Sequence, residues 1–413
     1  MKKVLMIAYH YPPNRGGSGI LRTLKFSRYL TEYGWLPIVL TANPRAYPKV
    51  GDDQIDEIPD CVQVKRAFAL DAARHLSIKG AYPRCTALPD RWASWWLGAV
   101  PSGLRIIREQ KPAVIWSTYP IATAHLIALT LHRLSGIPWI ADFRDPMIEE
   151  GYPNDPYEYR IYRWIERQTV NSSRFSVFTT PGTMRRHVER HGNGPRTRWT
   201  VIPNGYDEED FAAIEWNPEN ARSPSRCMVL IHNGLLYPVE RDPRPFFAAV
   251  GDLYRAGSIS PSTLKIVLRG SGNEDSYRDQ LRRYGIEEIV FLKESIPYRD
   301  ALGETISADG LLLFQASVCN DQIPAKLYEY MRARRPILAL TDLNGDTAWA
   351  LKDAGIDTIA PWDSKEAIAK GLLDFIGQIR DGRAPVAGRE ITEGYSRKAL
   401  AGKLAGLLDS VTG

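Results

Sequence analysis

Two neighbouring stretches decide the reading of this chain: Gly310-Leu311-Leu312-Leu313-Phe314, and shortly after it Asp321-Gln322-Ile323-Pro324-Ala325-Lys326-Leu327-Tyr328-Glu329. Five apolar residues in a row predict a fully buried strand, and Pro324 suits the first turn of a helix that carries Lys326 and Glu329. An acid, a lysine and a second acid therefore fall at a strand-to-helix turn. In open α/β sheets ligands bind outside the carboxyl ends of the strands, and a helix N-terminus there favours phosphate.

The same alternation extends in both directions. Apolar runs at Val4–Ala8, Pro37–Leu40, Ala113–Trp116, Trp139–Ala141 and Phe175–Phe178 predict strands, with helical patterns between them, and Thr200–Gly205 closes the series. A polar stretch, Asp207–Arg226, precedes a second series at Cys227–Gly234, Leu264–Leu268, Ile289–Leu292, Gly310–Phe314 and Pro336–Leu340. The expectation is α/β: two doubly wound Rossmann-like domains facing a central cleft, over residues 1–206 and 207–395, with a helix at 396–413 packing across both. The chain has 413 residues, more than one hydrophobic core usually spans.

Composition excludes some classes. Apolar residues at 44% and charged residues at 24% are too apolar a mix for disorder. No apolar run reaches membrane-span length, and Cys61, Cys85, Cys227 and Cys319 lack metal-ligand or redox spacing, as reduced thiols of a cytoplasmic protein would. The net charge of +5 is unevenly placed: between Arg66 and Lys111 eight basic residues meet three acids, with Trp92, Trp95 and Trp96 among them. Such a mixture suits either an anionic membrane surface or a solvated insertion over its own tryptophans. No nucleic-acid-binding motif accompanies it.

Several turns carry candidate chemistry. Pro12-Pro13-Asn14-Arg15-Gly16-Gly17-Ser18-Gly19 joins the first strand to the first helix, and its glycines would let backbone N–H groups approach an anion. It is no dinucleotide fingerprint, because Arg22 stands where the third glycine belongs. Asp142-Phe143-Arg144-Asp145 follows a buried strand, so its charges must be paired structurally or meet a substrate. Val201-Ile202-Pro203-Asn204-Gly205 suits a hinge.

Taken together these motifs resemble glycosyltransferase family 4, over nearly the whole chain. Asp321 and Glu329 stand at the positions of its acid-x7-acid motif, Gly16 and Gly17 match its loop beside the donor diphosphate, and Trp116–Pro120 with Asp142–Asp145 is similar to members acting on bacterial surface polysaccharides. The resemblance implies a GT-B arrangement and a retaining, metal-independent hexosyltransferase, peripheral to the inner face of the cell membrane. The donor would be a UDP- or GDP-sugar with no further cofactor, and the acceptor a lipid-linked or membrane-bound saccharide. The catalytic set it implies is Arg241, Lys326 and Asp321; the donor-binding set adds Gly234, Gly270, Phe291, Leu292 and Glu329 to Gly16 and Gly17; Tyr119, Asp142, Arg144 and Asp145 would face the acceptor or cleft. No metal ligands are expected.

Departures from the family pattern leave other readings open. Its first acid is usually Glu, and its usual Gly-Arg and Lys-Gly phosphate cations are replaced here by Leu235 or Leu236 with no following lysine. Arg241, with Lys326, becomes the expected clamp, since a guanidinium binds phosphate with a bidentate fork. A noncatalytic nucleotide-sugar-binding partner of a membrane assembly complex, or a nucleotide-sugar epimerase or hydrolase on the same fold, are the alternatives.

Overall fold

The structure is a computed structural model and describes residues 1–15, 19–52, 54–149, 151–192, 198–212, 214 and 227–412. It divides into two compact units, Met1–Asn204 with Arg397–Gly413, and Gly205–Ser396.

In the first unit β1 (Lys2–Ile7), β2 (Trp35–Ala42), β3 (Gln63–Ala67), β4 (Val114–Thr118), β5 (Trp139–Phe143), β6 (Phe175–Phe178) and β7 (Arg198–Val201) form one sheet. Its order is β3-β2-β1-β4-β5-β6-β7, all parallel. Alternate residues serve opposite faces: Leu5, Ile7, Ile38, Leu40 and Ile115 enter one core, while Val4, Met6, Val39, Val114 and Trp116 enter another. The terminal helix Arg397–Ser410, expected to pack across both domains, belongs to the first unit, where Leu400, Leu404 and Leu408 join Leu24 and Trp35. Their four-residue spacing puts them on one helix face.

The second unit holds β8 (Met228–Asn233), β9 (Leu264–Arg269), β10 (Val290–Lys293), β11 (Gly310–Phe314), β12 (Ile337–Leu340) and β13 (Ile359–Ala360). The order is β10-β9-β8-β11-β12-β13, again parallel, and β11 is buried along its whole length. Strand order reverses between β8 and β11, so a crevice opens at their carboxyl ends. Two edge strands escaped the apolar pattern for a physical reason. β3 is mostly exposed and carries Gln63, Lys65 and Arg66, and β13 has only two residues.

Candidate functional site

The reversal of strand order in the second unit brings His232, Asn233 and Gly234 at the end of β8 beside the helix Ala325–Ala333 that follows β11. A cavity of about 380 Å³ opens there, lined by Gly234, Gly270, Ser295, Tyr298, Lys326 and Glu329 among others. Four of the residues expected to bind phosphate or donor, Gly234, Gly270, Lys326 and Glu329, are thus brought together.

Lys326 Nζ lies 3.0 Å from His232 Nε2. His232 is fully buried, and its Nδ1 sits 2.8 Å from the Leu312 carbonyl. A carbonyl can only accept, so Nδ1 carries the proton and the Nε2 lone pair is left to receive one from the lysine ammonium. Burial, then the charges of Lys326 and Arg241, push the His232 pKa well below the usual histidine range, which keeps the ring neutral. Lys326 is pushed well below the usual lysine range by burial and by Arg241, with Glu329 acting against them. The lysine is a cation whose surroundings favour the arrival of an anion. His232 was not anticipated from the sequence; a histidine at the end of a strand pattern carries no periodic signal.

Gly234 makes room for this pair. Its φ is +115°, and a Cβ there would lie 2.9 Å from Lys326 Nζ. Gly270, with φ of +62°, turns the chain at the end of β9 and also lines the cavity. Asn233 donates its backbone N–H to Tyr330 Oη at 3.0 Å and its side-chain amide to Thr305 Oγ1 at 2.7 Å, tying β8 to two helices. Tyr298 Oη donates to Glu329 Oε1 at 2.8 Å, which fixes the carboxylate one helical turn from Lys326.

Other expected residues lie elsewhere. Phe291 and Leu292 do not line the cavity: Phe291 packs under Lys265 Nζ at 4.7 Å, Leu292 rests against the core, and Ser295 and Ile296 of the following loop take their place. The chain runs on two or three residues past β10 before it reaches the cavity wall. Asp321 occupies the turn before Pro324 and is not among the cavity-lining residues. That turn is held by Gln315, whose Nε2 donates to the Cys319 and Gln322 carbonyls at 2.8 and 2.7 Å. Arg241 stands outside the lining too, stacked over Tyr237 at 5.5 Å and donating to the Leu235 carbonyl at 3.3 Å, yet its charge acts on both His232 and Lys326. Gly16 and Gly17 lie outside the described residues.

In the first unit the expected substrate-facing cluster separates into internal and external parts. Asp142 is fully buried, and Arg22 grips it at 2.7 and 2.9 Å while Thr118 Oγ1 donates to it at 2.7 Å. Arg22 also donates to the Ile202 and Pro203 carbonyls, both at 2.9 Å. Asp142 is therefore corrected from a cleft residue to half of a buried pair that locks β5, the first helix and the chain after β7. Tyr119, likewise expected at the cleft, is 3% exposed, and burial raises its pKa well above the usual phenol range. Arg144 is 9% exposed and donates to the Gly19 carbonyl at 2.8 Å, while Asp145 beside it is exposed. Burial and the charge of Arg144 lower the His10 pKa to about 4, so neutral His10 and cationic Arg144 stand together at the start of the first helix. Among the described residues no group of three or more His, Cys, Asp or Glu side chains could hold a metal ion, and no helix is long and apolar enough to cross a membrane.

Comparison with known proteins adds the following. No curated protein matches the chain. Among solved structures, HepE from Anabaena in complex with UDP and glucose aligns with a TM-score of 0.68 at 13% identity, covering 99% of this chain and 100% of that one. Sucrose-phosphate synthase from Thermosynechococcus elongatus aligns with a TM-score of 0.67 at 12% identity over 99% of each chain. WaaG, a glycosyltransferase involved in lipopolysaccharide biosynthesis, aligns with a TM-score of 0.61 at 14% identity over 99% of each. Residues 23–205 match the family model of the glycosyl transferase 4-like domain, and the two parallel sheets together have the fold of the GT-B glycosyltransferases.

Proposed function

We propose that this chain is a retaining, metal-independent hexosyltransferase that moves a sugar from a UDP- or GDP-sugar to a lipid-linked or membrane-associated saccharide in surface polysaccharide biosynthesis. The observation that carries the reading is the second-unit cavity, which the Lys326 ammonium and the Glu329 carboxylate line together with two glycines of positive φ. A nucleotide sugar presents that combination of needs: a diphosphate for the cation and hydroxyls for the carboxylate. HepE has been crystallised with UDP and with UDP-glucose, and WaaG is described in lipopolysaccharide biosynthesis, which supports the donor and acceptor classes.

In this reading Lys326 holds the donor diphosphate, with Arg241 adding to the local positive field. As the bond between the sugar's anomeric carbon and the phosphate oxygen breaks, the electron pair leaves with the diphosphate, the acceptor hydroxyl oxygen takes its place on the carbon, and the hydroxyl proton passes to the departing diphosphate oxygen. Negative charge grows on the leaving group, and a cation already in position stabilises that charge without reorganising. Glu329, steadied by Tyr298, would accept hydrogen bonds from ribose or sugar hydroxyls. The first unit would bind the acceptor. Asp321, outside the cavity wall, would reach the sugar only through water.

The test is thermal stability with a panel of UDP-, GDP-, ADP- and dTDP-sugars, with and without chelator, because a ligand bound to the native state raises the melting temperature by mass action. A selective, chelator-insensitive rise that disappears in Lys326→Ala is expected. No rise with any of them, at concentrations well above a typical Kd, would sink the proposal.

A further inference from the structure

We propose that the first unit carries a docking surface for anionic phospholipid, centred on the helix Pro156–Ser172. Arg160, Arg163, Trp164 and Arg167 stand on one exposed side of that helix, at the spacing that aligns side chains. The opposite side, with Tyr162, Ile165, Glu166 and Val170, is buried. Some surface arginines have acidic partners: Arg84 meets Asp155, Arg105 meets Glu109 and Arg282 meets Asp279. Among the described residues Arg160, Arg163 and Arg167 have none.

These three arginines line a cavity of about 510 Å³ together with Arg190 and His191. Its floor is fixed, because the fully buried Glu166 carboxylate binds Arg190 Nη1 and His191 Nε2, each at 2.6 Å. Clustered like charges repel, and an anion relieves that repulsion.

A small anion would need only the arginines. Here Trp164 is shared with a second, apolar hollow of about 550 Å³ whose wall includes Trp96, Leu97, Leu126 and Leu134. Trp164 is 45% exposed, and Leu97 and Leu134 are each 63% exposed, so a large apolar face lies beside the cations. Arginines beside exposed tryptophan and leucine match the two layers of an anionic bilayer surface, with phosphates outside and acyl chains beneath. The segment 66–111, singled out by composition, contributes less than its charge count suggested. Arg84, Arg91 and Arg105 are neutralised by Asp155, Asp71 and Glu109, and Trp95 is fully buried. Of its tryptophans Trp96 joins the apolar hollow.

Co-sedimentation of the full chain with vesicles tests this. Wild type is expected to bind mixed phosphatidylglycerol/phosphatidylcholine vesicles, to be released by high salt, and to ignore phosphatidylcholine alone. Each basic residue near such a surface is worth roughly fivefold, about 1 kcal/mol, so R160S/R163S/R167S should lose about a hundredfold. L97S/W164S should weaken binding while keeping its salt dependence. R278S/R282S/R283S, which removes equal charge from the second unit, should bind like wild type. Equal loss in that control, full competition by millimolar inorganic phosphate, an unaffected R160S/R163S/R167S variant, or a wild type that ignores both vesicle types would each overturn the proposal. Lipid binding would serve the membrane-associated acceptor proposed above; because it is read without sugar transfer and should survive Lys326→Ala, either reading can fail alone.

Discussion

Replacing Gly234 by alanine separates two costs that the structure assigns to different measurements. At φ of +115° the backbone is strained for any residue with a Cβ, and such strain costs about 1–3 kcal/mol. The new methyl would also stand 2.9 Å from Lys326 Nζ. The end of a lysine moves easily, so this contact adds little to instability. Moving Nζ away, however, stretches its 3.0 Å bond to His232 Nε2 and shifts the cation from the position offered to a phosphate. Hydrogen bonds to charged groups are worth about 1.5–3 kcal/mol, which corresponds to roughly tenfold or more in nucleotide affinity. The assay is denaturant unfolding together with calorimetric titration of UDP and GDP, for G234A, K326A and the double variant. The stability loss should appear in both backgrounds, because strain does not depend on the lysine. The affinity loss should appear only where Lys326 is present. An affinity loss of the same size in K326A, or unchanged stability in G234A, would refute the reasoning.

Asp142→Ala should destabilise the first unit by about 3–5 kcal/mol, read by denaturant unfolding, because it leaves Arg22 buried without its carboxylate. Stability should fall as pH drops below about 6.5, and the histidines explain why: folded pKa values of about 4 for His10 and about 3 for His125, and one well below the usual range for His232, mean that unfolding takes up protons. His10 and His125 each contribute roughly 2 kcal/mol of loss by pH 5, and His125→Gln should flatten a melting profile recorded from pH 7 to pH 5. A profile equally steep in that variant would remove His125 from the account. Glu329→Gln should weaken nucleotide-sugar binding about tenfold in the same calorimetry with little change in melting temperature, since Tyr298 Oη can still donate to an amide oxygen.

The second-unit site was legible where chemistry sits on a periodic background. β11 announced itself as five apolar residues, and Lys326 and Glu329, three apart on the helix after it, had to share a face. Gly234 and Gly270 stood at the ends of apolar runs, where strands must turn. What escaped was of another kind. His232 is one residue of a strand, and only the crossing of β8 beside β11 puts it against Lys326, ninety-four positions away. Asp142 looked like a charge at a strand end, and its partner, Arg22, lies on a helix one hundred and twenty positions earlier.

The sequence by itself determined the period of each element and so the alternation of strand and helix, because a buried parallel strand needs an unbroken apolar run and a covering helix needs a striped one. It also placed the acids, cations and glycines at strand ends. Which charges are internal and which face a ligand was decided by the tertiary structure alone. A carboxylate with a guanidinium at 2.7 Å, and a histidine with a carbonyl at 2.8 Å, are matters of strand order and register. The same held on the surface: Arg84, Arg91 and Arg105 of 66–111 looked available until folding supplied their acidic partners, while three arginines on the helix Pro156–Ser172 were left with none among the described residues. Pairing is a property of distance, and distance between remote residues is set only when the chain closes on itself.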